Sequence, residues 1–242
     1  MQGLNNPIGI KSLEPNQSPF ITNPYRFAAV SPWDFEDDFS TSTNWTDNGG
    51  KQTVSSGALQ WSATGNGSRD TVSADVIGGT VSDTAWVLRY KFDIATVSVQ
   101  STGNHIVFGM SSAPYTSDFG ASQDSLNFKL FVRTTANRYS NSWGDATNMN
   151  GANEVAQNTV TVSTHYMEQI RLTSTTFSNE SFSDSDFSSS NWSKTSTVPS
   201  TIQNLRYYKV ADNGTSATTS TLDGTLDDLQ FEDGVTTAPL PI

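Results

Sequence analysis

The chain has 242 residues, of which 34% are hydrophobic and only 15% charged; it has no cysteine, and 13 basic against 24 acidic side chains give a formal net charge of -11. That balance excludes a nucleic-acid partner, which needs clustered lysine and arginine, and the missing cysteine excludes disulfides, thiolate catalysis and thiolate-bound metals. Thirteen Phe, seven Tyr and six Trp supply enough apolar area for a core, and the length suits one large β domain, since sandwiches reach roughly 200 to 250 residues undivided.

Residues 1–32 read as an extended N-terminal arm, because Pro7, Pro15, Pro19, Pro24 and Pro32 recur too closely for a helix or strand interior. Ile8, Ile10, Leu13, Phe20, Ile21, Tyr25 and Phe27 punctuate it with apolar points, as suits a segment that lies along its own domain or on a neighbouring subunit. The start MQGLNNPIGI lacks the pattern of a signal peptide, and no stretch approaches the roughly 18 apolar residues of a membrane span. No membrane insertion is expected.

From Trp33 onward, residues 33–242 read as one β domain, with strands separated by clusters of Gly, Asn, Ser and Asp. Strands are expected near 35–40, 53–61, 70–77, 84–95, 104–111, 124–133, 158–162, 165–174, 202–210 and 225–232. In AWVLRYKFDI, Trp86, Leu88, Tyr90 and Phe92 share one face while Val87, Arg89, Lys91 and Asp93 share the other, the period of a half-buried strand. DSLNFKLFVR groups Leu126, Phe128, Leu130 and Val132 in the same way. Ile202, Leu205, Tyr207 and Val210 suggest a strand broken near Asn204. No helical period runs beyond about ten residues. A near-repeat, DFSTSTNW from Asp38 and DFSSSNW from Asp186, is either a chance echo in a Ser-rich chain or a pair of strand-to-turn corners capped by Trp. The pattern is that of an all-β, two-sheet antiparallel sandwich.

Four segments in order carry a family resemblance: DFEDDFS, SDTAWVLRYKFDI, HYMEQIRLTS, and IQNLRYYKVADNG followed by LDGTLDDLQFEDG. Together they resemble the concanavalin A-like lectin/glucanase superfamily, specifically its laminin-G-like jelly rolls, over Trp33 to Gly234. The resemblance implies a jelly roll with its first and last strands side by side, which brings Asp37 and Asp38 towards Asp227 and Asp228. It further implies a structural Ca2+ at that junction, with Asp37 and Asp228 the first candidates as ligands and Asp38 and Asp227 behind them; carboxylates so crowded repel one another unless a cation intervenes. The competing reading is a set of exposed strand-end carboxylates.

Catalytic members of the superfamily carry E-x-D-x-x-E on one strand, since glycoside hydrolysis needs two carboxylates facing one bond. Here Glu36 and Asp38 begin the pattern, but Thr41 stands where the second Glu belongs. His105 and His165, the two histidines of the chain, sit in or beside strand patterns as packed or surface residues. The chain reads as non-catalytic. Glycan-binding sandwiches stack exposed aromatic rings on sugars and bond the hydroxyls with Asp and Asn. The segment from Arg138 to Asn153, read as a loop, offers Tyr139, Trp143, Asp145, Asn148 and Asn150, and APYTSDFG offers Tyr115, Asp118 and Phe119. Alternatively, Tyr139 and Trp143 anchor that loop to the sandwich.

Two functions fit. One is a structural or adhesive surface protein, such as a capsid-decorating or fibre component of a virion, whose arm joins other protein subunits into an oligomer or larger assembly. The other is a lectin-like module recognising cell-surface glycans. Both place the protein on a virion or at an extracellular surface.

Overall fold

Alternating apolar residues organise two sheets in the computed structural model, which describes residues 31–47, 50, 52–64, 71–98, 104–115, 123–133, 136–145, 148–153, 163–212 and 221–239. The N-terminal residues read as an arm, and the strand expected at 158–162, lie outside them. Residues Ser31–Ile242 form one compact unit, and the described residues contain no helix.

The strands are β1 (Phe35–Asp37), β2 (Trp45–Asp47), β3 (Thr53–Ser55), β4 (Ala58–Thr64), β5 (Thr71–Asp75), β6 (Trp86–Ser98), β7 (Asn104–Ser111) and β8 (Ser125–Arg133). They continue as β9 (Ala136–Asp145), β10 (Asn148–Asn153), β11 (Ser163–Thr173), β12 (Thr176–Phe182), β13 (Ser190–Thr197), β14 (Tyr207–Asp212) and β15 (Thr221–Asp233). An eight-stranded sheet runs β13-β12-β11-β6-β15-β4-β3, with β1 added on β15, and faces a seven-stranded sheet in the order β10-β9-β8-β7-β14-β5-β2. Neighbours widely separated in sequence, such as β6 beside β15 and β7 beside β14, and antiparallel pairing throughout make this a jelly-roll sandwich.

The core lies between the sheets. Trp86, Leu88, Tyr90 and Phe92 of β6 and Leu126, Phe128 and Leu130 of β8 are buried there as their alternation requires. Their rings interlock across the gap: Phe108 of β7 lies 5.7 Å from Trp61, 6.0 Å from Tyr90 and 5.8 Å from Phe92, centroid to centroid. Such contacts add to the area term that drives the sheets together.

Several elements differ from the sequence reading. The expected strand 53–61 is a hairpin, because Ser56 and Gly57 both take positive φ (57° and 75°), as a two-residue turn matching the strand twist requires. The break near Asn204 is real: its φ is 57°, and the strand starts only at Tyr207, with Ile202 and Leu205 buried in the approach. Tyr208, not Tyr207, joins the core there. The segment from Arg138 to Asn153 is not a loop. It forms β9 and β10, and β12 and β13 were likewise hidden, since their inward positions include Asn179, Ser181 and Ser196. Asn141 of β9 donates to the Lys194 carbonyl (2.7 Å) and accepts from Asn179 Nδ2 (2.9 Å). Inward faces joined by such bonds stay buried without an apolar period.

Candidate functional site

The junction of the first and last strands builds the site. β15 pairs with β4 as far as Leu226, opposite Leu59, and with β1 from Leu229, opposite Asp37. Between the two partners the ladder to β6 slips: Asp227 faces Lys91, but Gln230 faces Arg89. The extra residue is a β-bulge, with Asp228 at φ 52°, a left-handed position that Asp tolerates better than most side chains. Its backbone N–H donates to Asp227 Oδ1 at 2.8 Å. The bulge re-aims the strand at the point where its neighbour changes.

On the outer face of the eight-stranded sheet, register sets two rows. Glu36, Gln230, Arg89 and Glu168 lie in one, and Asp227, Lys91, Tyr166 and Phe182 in the next. Arg89 is satisfied internally, its Nε and Nη2 both donating to Glu168 Oε2 (2.7 and 2.6 Å). The connection from β12 to β13 folds back over these rows. Its Phe187, at φ 54°, stacks its ring on the Arg89 guanidinium, 4.0 Å from the guanidinium carbon, and stands edge-on to Tyr166 (6.1 Å) and Phe182 (5.4 Å). A cavity of about 350 Å³ opens between this aromatic corner and the bulge, lined by Glu36, Asp38, Lys91, Tyr166, Ser185, Phe187, Asp228 and Gln230 among others. That volume lies within the range of small-molecule sites, and a few polar groups set against rings is their usual chemistry.

The carboxylates there differ in what they hold. Asp37, buried at 7% exposure, accepts from the Phe39 N–H (2.7 Å), the Trp45 indole N–H (2.9 Å) and Asn44 Nδ2 (3.1 Å). Asp38 accepts from the Ser40 N–H at 2.9 Å, which holds its pKa below the ordinary carboxyl value. Glu36 Oε1 accepts from Gln230 Nε2 at 3.2 Å. Asp228 accepts no hydrogen bond among the described residues; burial first, then the Asp227 charge and that of Asp38, raise its pKa against the pull of Lys91.

Sequence reasoning placed Asp37, Asp38, Asp227 and Asp228 together for Ca2+, and pairing of β1 with β15 does bring them to one junction. Among the described residues they are not gathered into a metal site. Both Asp37 oxygens already face N–H donors, and no group of three or more acidic or His side chains among the described residues could hold a metal; Ca2+ takes six to eight oxygens.

The glycan candidates are dispersed. Tyr139 is not an exposed stacking ring: it is 3% exposed, packed on Phe128 and Trp192, with its hydroxyl 3.0 Å from His165 Nε2. Trp143 is partly buried against the same core, the anchoring role that was the alternative for both. Tyr115 is half-buried, its N–H donating to Ser73 Oγ on the outer face of the seven-stranded sheet. The side chains of Asp145, Asn148 and Asn150, and all of Asp118 and Phe119, lie outside the described residues. His165 is a packed residue, stacked 4.9 Å from Phe92, and burial lowers its pKa to about 4. Of the three aromatic residues that line the cavity, Tyr90, Tyr166 and Phe187, the last two were missed. The available signal was the near-repeat, whose two Phe residues both adopt positive φ.

Comparison with known proteins agrees with this architecture. No protein-family model and no curated protein matches the sequence. The fold is that of the concanavalin A-like lectin jelly rolls. The carbohydrate recognition domain of Emp47p superposes with a TM-score of 0.59 at 11% identity, covering 84% of this chain and 96% of that one. The exoplasmic/lumenal domain of VIP36, bound to Ca2+ and Man3GlcNAc, gives 0.58 at 8% identity over 86% and 91%. The CBM2 module of the evolved Dit protein of Lactobacillus casei BL23 phage J-1 gives 0.54 at 10% identity over 85% and 97%. These superpositions, at 8–11% identity, show a shared fold.

Proposed function

We propose that this chain is a non-catalytic, adhesive surface protein that binds carbohydrate in the cavity beside the β1–β15 junction. The observation that carries the reading is the cavity itself, with the Tyr166–Phe187 corner opposite the acceptors Glu36, Asp38 and Asp228 and the amide of Gln230. Rings cover the apolar face of a pyranose and the oxygens accept from its hydroxyls. Emp47p, VIP36 and the phage module support the reading as carbohydrate-binding proteins of like fold. Absence of catalysis is supported by Thr41 in place of the second Glu and by the N–H donors that hold Asp37. The phage module also supports a virion setting, in which residues 1–32 join neighbouring subunits.

Glycan-array screening of the full chain, followed by calorimetry, tests the function. Binding is expected, with Phe187→Ala weakening it about tenfold or more, the worth of a stacked ring. A blank array refutes it. Loss with Trp143→Ala and none with Phe187→Ala transfers the site to the β9–β10 hairpin. For the assembly role, an oligomer that falls to monomer once protease trims residues 1–32 is the expected result; a monomer from the outset refutes it.

A further inference from the structure

The aromatic wall of the cavity rests on side chains that do not line it. Phe187 belongs to the short connection between β12 and β13, closed by the Ser183 N–H on the Ser189 carbonyl (3.0 Å) and the Phe187 N–H on the Asp184 carbonyl (3.3 Å). These bonds fix where the chain turns, but an aromatic side chain on so exposed a connection can still exchange rotamers. What holds the ring lies on the sheet. It stacks on the Arg89 guanidinium at 4.0 Å, with Tyr166 and Phe182 edge-on to it. The guanidinium is fixed in turn: its Nε and Nη2 both donate to Oε2 of Glu168, its cross-strand partner on β11, which is only 9% exposed. Two charge-assisted bonds from one planar fork lock the plane as well as the position of the group.

We propose that Arg89, locked by Glu168, is a positioning residue for saccharide binding: standing outside the cavity lining, it holds the Phe187 ring in the orientation that meets the sugar. This rests on the carbohydrate reading above and adds to it the residue on which the stacking ring depends. A ring that must be ordered when the sugar arrives costs affinity, whereas one already held in place does not. The guanidinium suits the task because it is flat and stacks on an aromatic face; an ammonium on a flexible stem has no plane to offer. Lys91, two residues along the same strand, differs in just this way. It lines the cavity itself, 3.9 Å from Asp93, and carries no ring.

Calorimetry on the full chain, with the saccharide that a glycan array ranks first, compares the wild type with Arg89→Lys, Phe187→Ala and the double variant. Arg89→Lys keeps the charge beside Glu168 and removes the plane, so binding should weaken about fivefold, the worth of ordering one side chain. Circular dichroism checks that the variant is folded; should it not be, Glu168→Gln, which frees the guanidinium, takes its place in the comparison. In the Phe187→Ala background the same change should weaken binding no further, since a residue that acts through the ring has nothing left to act on. The free protein gives a second readout: the Arg89 Nε–H resonance in proton–nitrogen NMR lies in the ring current of Phe187 and should move in Phe187→Ala. Equal affinity of wild type and Arg89→Lys overturns the proposal and leaves the carbohydrate function standing. A loss of the same size in both backgrounds overturns it too, because Arg89 would then act without the ring. An Nε–H resonance unmoved by Phe187→Ala has the same consequence, as the stack would not exist in solution. A blank array overturns both the proposal and the carbohydrate reading.

Discussion

Two corners of the molecule share a sequence and do different work. In DFSTSTNW and DFSSSNW, Phe39 and Phe187 occupy the same left-handed backbone region (φ 55° and 54°), and Trp45 and Trp192 each turn into the core. Yet the Phe39 ring is 1% exposed, 5.2 Å from Trp45, whereas Phe187 lies outside on the eight-stranded sheet over Arg89. Two residues before each Phe, Asp37 stands at the first corner and Ser185 at the second. Asp37 gathers the Phe39 N–H and the Trp45 indole N–H, and so ties ring and backbone inward. Ser185 is exposed on the cavity; the turn there is held instead by Asp184, which accepts from the Ser188 N–H at 2.9 Å. A turn motif therefore fixes the local backbone, and the residue beside it decides whether the aromatic ring fastens the core or furnishes a surface.

The largest expected effect comes from removing the two rings in turn. Phe39→Ala should lower unfolding free energy by about 3–5 kcal/mol, as for other fully buried Phe residues, measured by urea denaturation. Phe187→Ala should cost about 1 kcal/mol or less, since its ring is only half-buried, while lowering ligand affinity. Equal losses at the two sites would show that Phe187 is a core residue and would remove the aromatic wall. Next in size is the carboxylate. Asp37→Ala leaves three donors without their acceptor, two of them buried, and should cost about 2–4 kcal/mol, whereas Asp184→Ala, at an exposed turn, should shift the denaturation midpoint far less.

The sequence reveals strands where the buried face is apolar. β6, β8 and β15 are legible for that reason, and so is the meeting of DFEDDFS with LDDLQFED, which the β1–β15 register bears out. β9, β12 and β13 are not, because Asn141, Asn179 and Ser196 occupy inward positions and are bound to one another across the sheets. At the site the same limit applies. Crowded carboxylates can be read from Asp37, Asp38, Asp227 and Asp228, but the donors that saturate Asp37 come from Asn44 and Trp45, whose approach depends on the turn. Tyr166 and Phe187 are visible as residues, but the αL conformation that carries Phe187 onto the sheet has no glycine to announce it.

The finest distinction between the corners lies in the two indoles. Trp45 and Trp192 are similarly buried (9% and 6%), so replacing either by Phe removes a comparable apolar surface. Their N–H groups differ: Trp45 Nε1 donates to Asp37 at 2.9 Å, while Trp192 Nε1 is buried with no acceptor among the described residues. Trp45→Phe deprives a buried carboxylate of a donor; Trp192→Phe relieves an unpaired one. The two substitutions should therefore differ by about 1–2 kcal/mol in stability, Trp45→Phe being the worse. Matched denaturation curves read that difference directly, and equal losses would mean that Asp37 holds the first corner without help from the Trp45 indole.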